Sequence, residues 1–506
     1  LRDCSPDATL RNAEIKAAHQ AAAHADTPST ARLDALGRPF LTIARNRVQC
    51  PEHPLDGTEA AFATNGELDI EGNQRAVIDA KDRVVMRYAY DLLGNRIHQA
   101  SMEAGSRWML ADVAGNPIRA WDSRGFNRRL VYDRLRRPTG LFVSSPEFIK
   151  SHGREEIQPE RTVYGETLPN PEQTNHRGQV YQVFDDAGVV TSLVDDLGYD
   201  FKGNPLAGRR QLRREYKKAA DWQQKEPLEN ERFDSRTWYD ALNRPTQSIA
   251  PHSDRDGTRC NVTRHGFNDA GLLERIDVWN QRAAKPDGLL PPDTADLHAV
   301  TDIDYDAKGQ RQRIEYGNGT STLYDYDPLT YRLTHLLTRR DAAAFPDDCP
   351  AQPLDAAWPG CQVQNLHYAY DPAGNITHIR DAAQQTIYFK NKRVEPSAEY
   401  TYDALYRLIQ ATGREHLGQI GGAPIPHSHN DAGRAGIASA DATGRFAPND
   451  GNAMGTYIER YLYDEVGNFL EMQHRGTDPA HAGWTRSYYY IEASLVEDGT
   501  GGTPLK

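Results

Sequence analysis

One unit keeps returning along this chain: an aromatic residue, Asp, two variable residues, then Gly-Asn or Gly-Arg. It reads YDLLGN from Tyr90, DVAGN from Asp112, YDRLRR from Tyr132, YDALNR from Tyr239, YDAKGQ from Tyr305, YDPAGN from Tyr370, YDALYR from Tyr402 and YDEVGN from Tyr463. Looser copies are LDALGR at Leu33, LDIEGN at Leu68, FDDAGV at Phe184, FNDAGL at Phe267 and YDPLTY at Tyr326. Asp69 to Asp91 is 22 residues, and Asp91 to Asp112, Asp112 to Asp133 and Asp306 to Asp327 are 21 each. Self-similarity at a fixed short period marks a repeat architecture, so the 506 residues read as one large array or a few ordinary domains.

The period has a physical reading. Between Asp91 and Asp112 the chain runs RIHQAS, MEAG, SRWMLA. Each six-residue piece suits a short strand, and MEAG supplies a turn that ends on Gly105. Asp at the start of the next turn accepts hydrogen bonds from amides just ahead, and Gly near its end tolerates positive φ. One period is therefore strand, turn, strand, turn, a β-hairpin joined to the next β-hairpin. The aromatic before Asp ends a strand and packs on its neighbours.

The residues this reading assigns to turns are Tyr90, Asp91 and Gly94; Asp112 and Gly115; Tyr132 and Asp133; Tyr239 and Asp240; Tyr305, Asp306 and Gly309; Tyr370, Asp371 and Gly374; Tyr402 and Asp403; and Tyr463, Asp464 and Gly467. In TSTLYDYD, Thr320, Thr322, Tyr324 and Tyr326 share one face, and Ser321, Leu323, Asp325 and Asp327 share the other. Neither face is oily enough for half of a tight sandwich. Such a sheet suits a wall with solvent or cargo on both sides.

Composition agrees with much half-exposed surface and little deep core. Hydrophobic residues make up 38%, and Tyr (25) outnumbers Phe (13). Aromatic and β-branched residues are too frequent for disorder. A net charge of −12 argues against nucleic acid as a partner. No run of about 18 apolar residues occurs, so no membrane-inserting helix is expected. LRDCSPDATLRNAE lacks an apolar core, so no signal peptide is expected there. A start on Leu1 and a stop in GTGGTPLK suggest a piece of something longer.

Two segments favour helix by composition: residues 13–25, AEIKAAHQAAAHA, and residues 206–224, LAGRRQLRREYKKAADWQQ, the second with a basic face. Residues 1–30 thus read as an N-terminal linker or helical segment, and 31–506 as the repeat array. A motif-poor, Gly-rich stretch at about 418–455 reads as a long loop or insertion. Five cysteines are too few and too odd in number for a disulfide scaffold. Cys349 and Cys361 flank CPAQPLDAAWPGC and either close it as a loop or stay as thiols.

No catalytic or cofactor motif stands out. DIDYDAKG from Asp302 resembles a calcium loop, but Ala307 and Arg313 stand where Gly and Glu are needed. His427, His429, His19 and His24 have no acidic or Cys partner at ligand spacing. Phosphate loops, zinc-protease helices and nucleophile elbows are missing. The expectation is a non-enzyme with no cofactor and no metal.

The YDxxGN/R unit at this spacing resembles the RHS/YD-repeat superfamily. Longer stretches narrow the resemblance: QASMEAGSRWMLADVAGNPIRAWDSRG (99–125), RTVYGETLPN from 161, HRGQVYQVFDDAGVV up to 190, LGYDFKGNPL (197–206), IDYDAKGQRQRIEYGNGT (303–320), QQTIYFKN (384–391) and YTYDALYRLIQATGREHLGQ (400–419). They look like the B component of bacterial insecticidal toxin complexes, the Tc toxins. The likeness runs from about Leu33 to the end.

The resemblance implies an all-β fold, with hairpins spiralling into a large hollow shell, here a partial cocoon, plus minor helical segments. It implies a chamber that holds a toxic C-terminal polypeptide. It implies partners: a companion C component whose RHS core cleaves itself, and, through the parent protein, a β-propeller and a pore-forming A component. A secreted, extracellular complex follows, with no nucleic acid and no direct membrane insertion. The DPxGL-type signature of the self-cleaving core is missing, so no protease residues are assigned. Two other functions compete: a cell-surface adhesion or carbohydrate-binding module, since animal teneurins carry a similar YD shell, and a cryptic hydrolase.

Overall fold

A computed structural model describes residues 8–193, 198–341, 343, 345, 361–417, 452–476 and 483–496. The chain divides into two units. One comprises Leu1–Val85, Arg311–Arg313 and Gly319–Lys506; the other comprises Met86–Gln310 and Ile314–Asn318. Both are built almost wholly of antiparallel strands in which sequence neighbours pair.

In the second unit the meander follows the repeat. Strands Arg96–Ser101 and Gly105–Ala111 are the hairpin that RIHQAS and SRWMLA imply, with Gly105 at φ +70° in its turn. Pro117–Asp122, Asn127–Tyr132 and Pro138–Ser144 continue it. In the first unit the same pattern runs through Gln362–Tyr370, Ile376–Asp381, Ser397–Tyr402, Leu408–His416, Met454–Tyr463 and Phe469–Gly476.

A register shift sits at the aromatic of many repeats. Ala89 faces His98 but Tyr90 faces Arg96; Ala369 faces His378 but Tyr370 faces Ile376; and a shift also falls between Leu462 and Tyr463. One extra residue on the returning strand is a β-bulge, which bends that strand and raises its twist. The repeat therefore encodes local curvature together with its turn.

Burial is shallow. Every residue of Val84–Tyr90 is half-buried. Buried apolar residues gather in small groups, such as Ile249, Cys260, Val262 and Trp279, or Val48, Cys50 and Ile409.

The helix in the N-terminal region spans Ala8–Gln20, followed by a short 3-10 turn at Ala21–His24. It packs on its own unit: Ala17 and Ala23 are buried, Gln20 Nε2 donates to Thr401 Oγ1 at 2.9 Å, and the His24 ring stacks on Tyr406. The helix expected at 206–224 does not form. Ala207–Arg213 is a strand, and residues 214–227 form a loop. Pairing on both sides overrides helix propensity here. Arg209 bonds Asp234, Arg210 bonds Asp185, and Arg213 bonds Glu226. These three arginines are thus ion-paired to neighbouring strands and loops instead of forming a helical face.

Cys361 is disulfide-bonded to a partner outside the described residues, while Cys50 and Cys260 are buried free thiols. Residues 418–451, with His427 and His429, also lie outside the described residues.

Candidate functional site: clamped repeat turns

The repeat turns share one hydrogen-bond plan. In YDLLGN, Asp91 Oδ1 accepts from the amides of Leu93 (2.8 Å) and Asn95 (2.9 Å), and Asn95 Nδ2 donates to Oδ2 at 3.0 Å. The Asp91 amide donates to the Asn95 carbonyl, and the Gly94 amide to the Asp91 carbonyl. Asp112 and Asp464 repeat this with Asn116 and Asn468, and Asp371 does so with Asn375, its Oδ1 accepting from the amides of Gly374 and Asn375. Arg137, Arg244 and Arg407 take the Asn place by donating Nε to Asp133, Asp240 and Asp403, each at 2.7 Å. Asp306 receives the amides of Lys308 and Gln310. Asn or Arg recurs at the fifth position because its side chain reaches back to the carboxylate.

The fourth position needs positive φ. Gly94, Gly115, Gly309, Gly374 and Gly467 lie between +79° and +112°. Arg136, Asn243 and Tyr406 adopt +63°, +64° and +62° in the copies without Gly. Glycine is the low-strain choice there, and the turn's hydrogen bonds hold the others.

Three copies deviate. Phe267's turn uses Asn268 as acceptor, Asp185 closes a tighter turn on Ala187 and Gly188, and Asp327 spans one extra residue to Arg332. The same plan closes three further turns, Asp79–Arg83, Asp122–Phe126 and Asp200–Asn204, of which the last, YDFKGN, matches the repeat unit in full and only the first lacks both its aromatic and its Gly. In that first turn Ile78 stands in the aromatic place and Asp82 in the Gly place, at φ +56°.

The tyrosine before Asp does more than pack. Its hydroxyl donates to the carbonyl of the residue just past an earlier turn: Tyr132 to Pro117 (2.7 Å), Tyr305 to Leu273 (2.6 Å), Tyr370 to Leu333 (2.7 Å), Tyr402 to Ile376 (2.9 Å) and Tyr463 to Leu408 (2.7 Å). Tyr164, Tyr199, Tyr326 and Tyr490 do the same. Burial pushes the phenols of Tyr370, Tyr402 and Tyr463 above their usual value, which keeps them protonated donors. This is why the array favours Tyr over Phe.

Arginine at the fifth position also spans repeats. The Arg137 guanidinium lies 3.9 Å from the Tyr164 ring centroid, Arg244 4.3 Å from Phe267, and Arg407 5.0 Å from Tyr463. Arg332 donates to the carbonyls of Asp371 (2.8 Å) and Pro372, Arg407 to Asp464 (3.1 Å), and Arg38 to Ile70 (3.1 Å). One side chain closes its own turn and latches the next.

These turns spend their polar groups on structure. Hydrogen bonds from Asn95 hold the Asp91 carboxyl below the usual range, as the Arg137 and Arg244 amides do for Asp133 and Asp240. Asp302 and Asp304 lie in the strand Leu297–Tyr305, and Asp306 opens its turn, so the calcium lookalike is a strand end.

A separate polar knot sits in the first unit. Both nitrogens of His474 face carboxylates, Glu415 at 2.8 Å and Glu459 at 3.1 Å, while its ring stacks between Tyr457 and Trp484. Burial disfavours the imidazolium, but the two carboxylates outweigh it and raise His474 to about 9.

No protein-family model matches the chain. Toxin subunit YenC2 of Yersinia entomophaga is 27% identical over 499 residues, covering 94% of this chain and 45% of that protein. Toxin subunit YenC1 of the same organism is 26% identical, covering 79% of this chain and 36% of the relative. The chain is similar in sequence to these toxin subunits. It spans less than half of either relative. The crystal structure of TcdB2-TccC3 superposes with a TM-score of 0.71 at 23% identity, over 94% of this chain and 21% of that one. The Photorhabdus luminescens Tc holotoxin pore does so at 0.70 and 24%, over 91% of this chain and 19% of that one. The all-β YD-repeat fold is thus shared with Tc structures.

Proposed function

We propose that this chain is a wall segment of a toxin-complex shell, one that encloses and protects a toxic C-terminal polypeptide before delivery. In this reading it catalyses nothing. Its partners are a companion C component with its RHS core, the enclosed polypeptide and, through the parent protein, a β-propeller and a pore-forming A component. The complex acts outside the producing cell.

The shallow burial of the strands carries the reading. A sheet whose residues are half-buried on both faces, as in Val84–Tyr90, offers an enclosed polypeptide no oily core to fold against. Its rigidity comes instead from the clamped turns and the bulges beside them. The test is protection: the chain is co-expressed with its companion subunit and a C-terminal cargo segment, then treated with trypsin. A cargo that survives while the free segment is digested supports enclosure. Equal digestion of both refutes it.

A further inference from the structure

The second unit carries a cavity of about 370 Å³ over its sheet, within the range of sites that take a small ligand or a single side chain. Its floor is a cross-strand row, Ser192, Gly208 and Ser235. Tyr181, Tyr199 and Tyr239 line it with Val183 and Val190. Gly208 leaves the floor open. A Cβ added there meets nothing closer than 3.9 Å, and its backbone needs no glycine. Behind it, His176 is fully buried and packs edge-on against Tyr181 and Tyr199, with ring centroids 5.9 and 5.2 Å away. The Tyr199 hydroxyl is fixed on the Val180 carbonyl at 2.6 Å. These walls are held in place before any ligand arrives.

The chemistry of the lining selects the occupant. Among the described residues its lining contains no Asp, Glu, Asn or Gln, the groups that pair with sugar hydroxyls. Its one cation, Arg236, alternates with Ser235 and Thr237 along the strand and stacks on Trp238, away from the floor row. An oily, tyrosine-walled site with the Ser235 hydroxyl on its floor suits a neutral aromatic group carrying a flanking amide. We propose that this cavity holds one aromatic side chain of an extended polypeptide. The proposal rests on the enclosure reading and names where the enclosed chain would be gripped.

The test uses N-acetyl-tyrosinamide and N-acetyl-phenylalaninamide as probes, N-acetyl-alaninamide as control, and saturation-transfer NMR on the full chain. Saturable binding of the aromatic amides alone is expected. Gly208→Val should weaken it by about tenfold or more, the scale on which an apolar pocket resolves one or two methylenes. Gly208→Ala, a milder filling, should weaken it less, and unchanged melting of that variant shows that the fold is kept. Equal binding of the alaninamide, unchanged affinity in Gly208→Val, or binding of maltose that Gly208→Val abolishes would each overturn the proposal. Trypsin protection of the cargo reads enclosure independently, so the two ideas fail separately.

Discussion

Removing the tyrosine clamps should loosen the array without opening a cavity, because Tyr→Phe deletes only the hydroxyl. Tyr132, Tyr305 and Tyr463 are the informative trio: each donates at 2.6–2.7 Å, to Pro117, Leu273 and Leu408, and they share no partner. A neutral hydrogen bond of this kind contributes about 1 kcal/mol net, with roughly 0.5–1.5 as its range. The three losses should add to about 3 kcal/mol, since none touches another's acceptor. In a chain of two units, hydrogen exchange is the right assay, because it reads opening locally. Amides flanking each changed clamp should exchange about fivefold faster, while those of untouched repeats keep their rates. If all three variants exchange like the parent, the hydroxyls are passengers and the rings alone hold the strands.

Other outcomes follow from the same geometry. Gly94→Val should cost about 1–2 kcal/mol from positive φ alone, whereas Gly374→Val should cost more, because its side chain would meet Arg332 Nη2 within 2.8 Å and break the latch; differential scanning calorimetry ranks the two. Acid should destabilise the chain. The turn carboxyls of Asp91, Asp133 and Asp240 are depressed in the fold, so their contribution is present above the ordinary Asp value of 3.8 and fades as pH falls below it, which melting between pH 5 and about 2 would show. Buried His53, His176 and His378 are also depressed, so they favour the fold above 6.5 and cost stability as pH drops below that value. His474 has the opposite sign. Its raised value makes its contribution complete below 6.5 and lost as pH rises through about 9, and His474→Gln should flatten that alkaline limb.

The sequence showed the local β architecture because the Asp-to-Gly interval is short and fixed. All the bonds that close YDLLGN lie within five residues, so a pattern search finds them. It did not show the clamps, because the acceptor of Tyr463 lies 55 residues back and that of Tyr402 lies 26 back. Nor could it show why position five alternates between Asn and Arg: both close the turn, but only Arg reaches the next aromatic, as Arg137 reaches Tyr164. The failed helix at 206–224 has a physical cause as well. Arg209 and Arg210 find carboxylates on adjacent strands, and local propensity cannot see those partners. Asp79–Arg83 escaped because it lacks both marks of the pattern: Ile78 replaces the aromatic, and Asp82 replaces Gly at positive φ.

Electron cryomicroscopy tests the central claim most directly, on the chain alone and in complex with its companion subunit and cargo. The account predicts a thin β-wall that becomes part of a closed particle with an interior chamber containing weak, unstructured density. A filled, solid interior, or a chain that makes no wall when its partner is present, would contradict it.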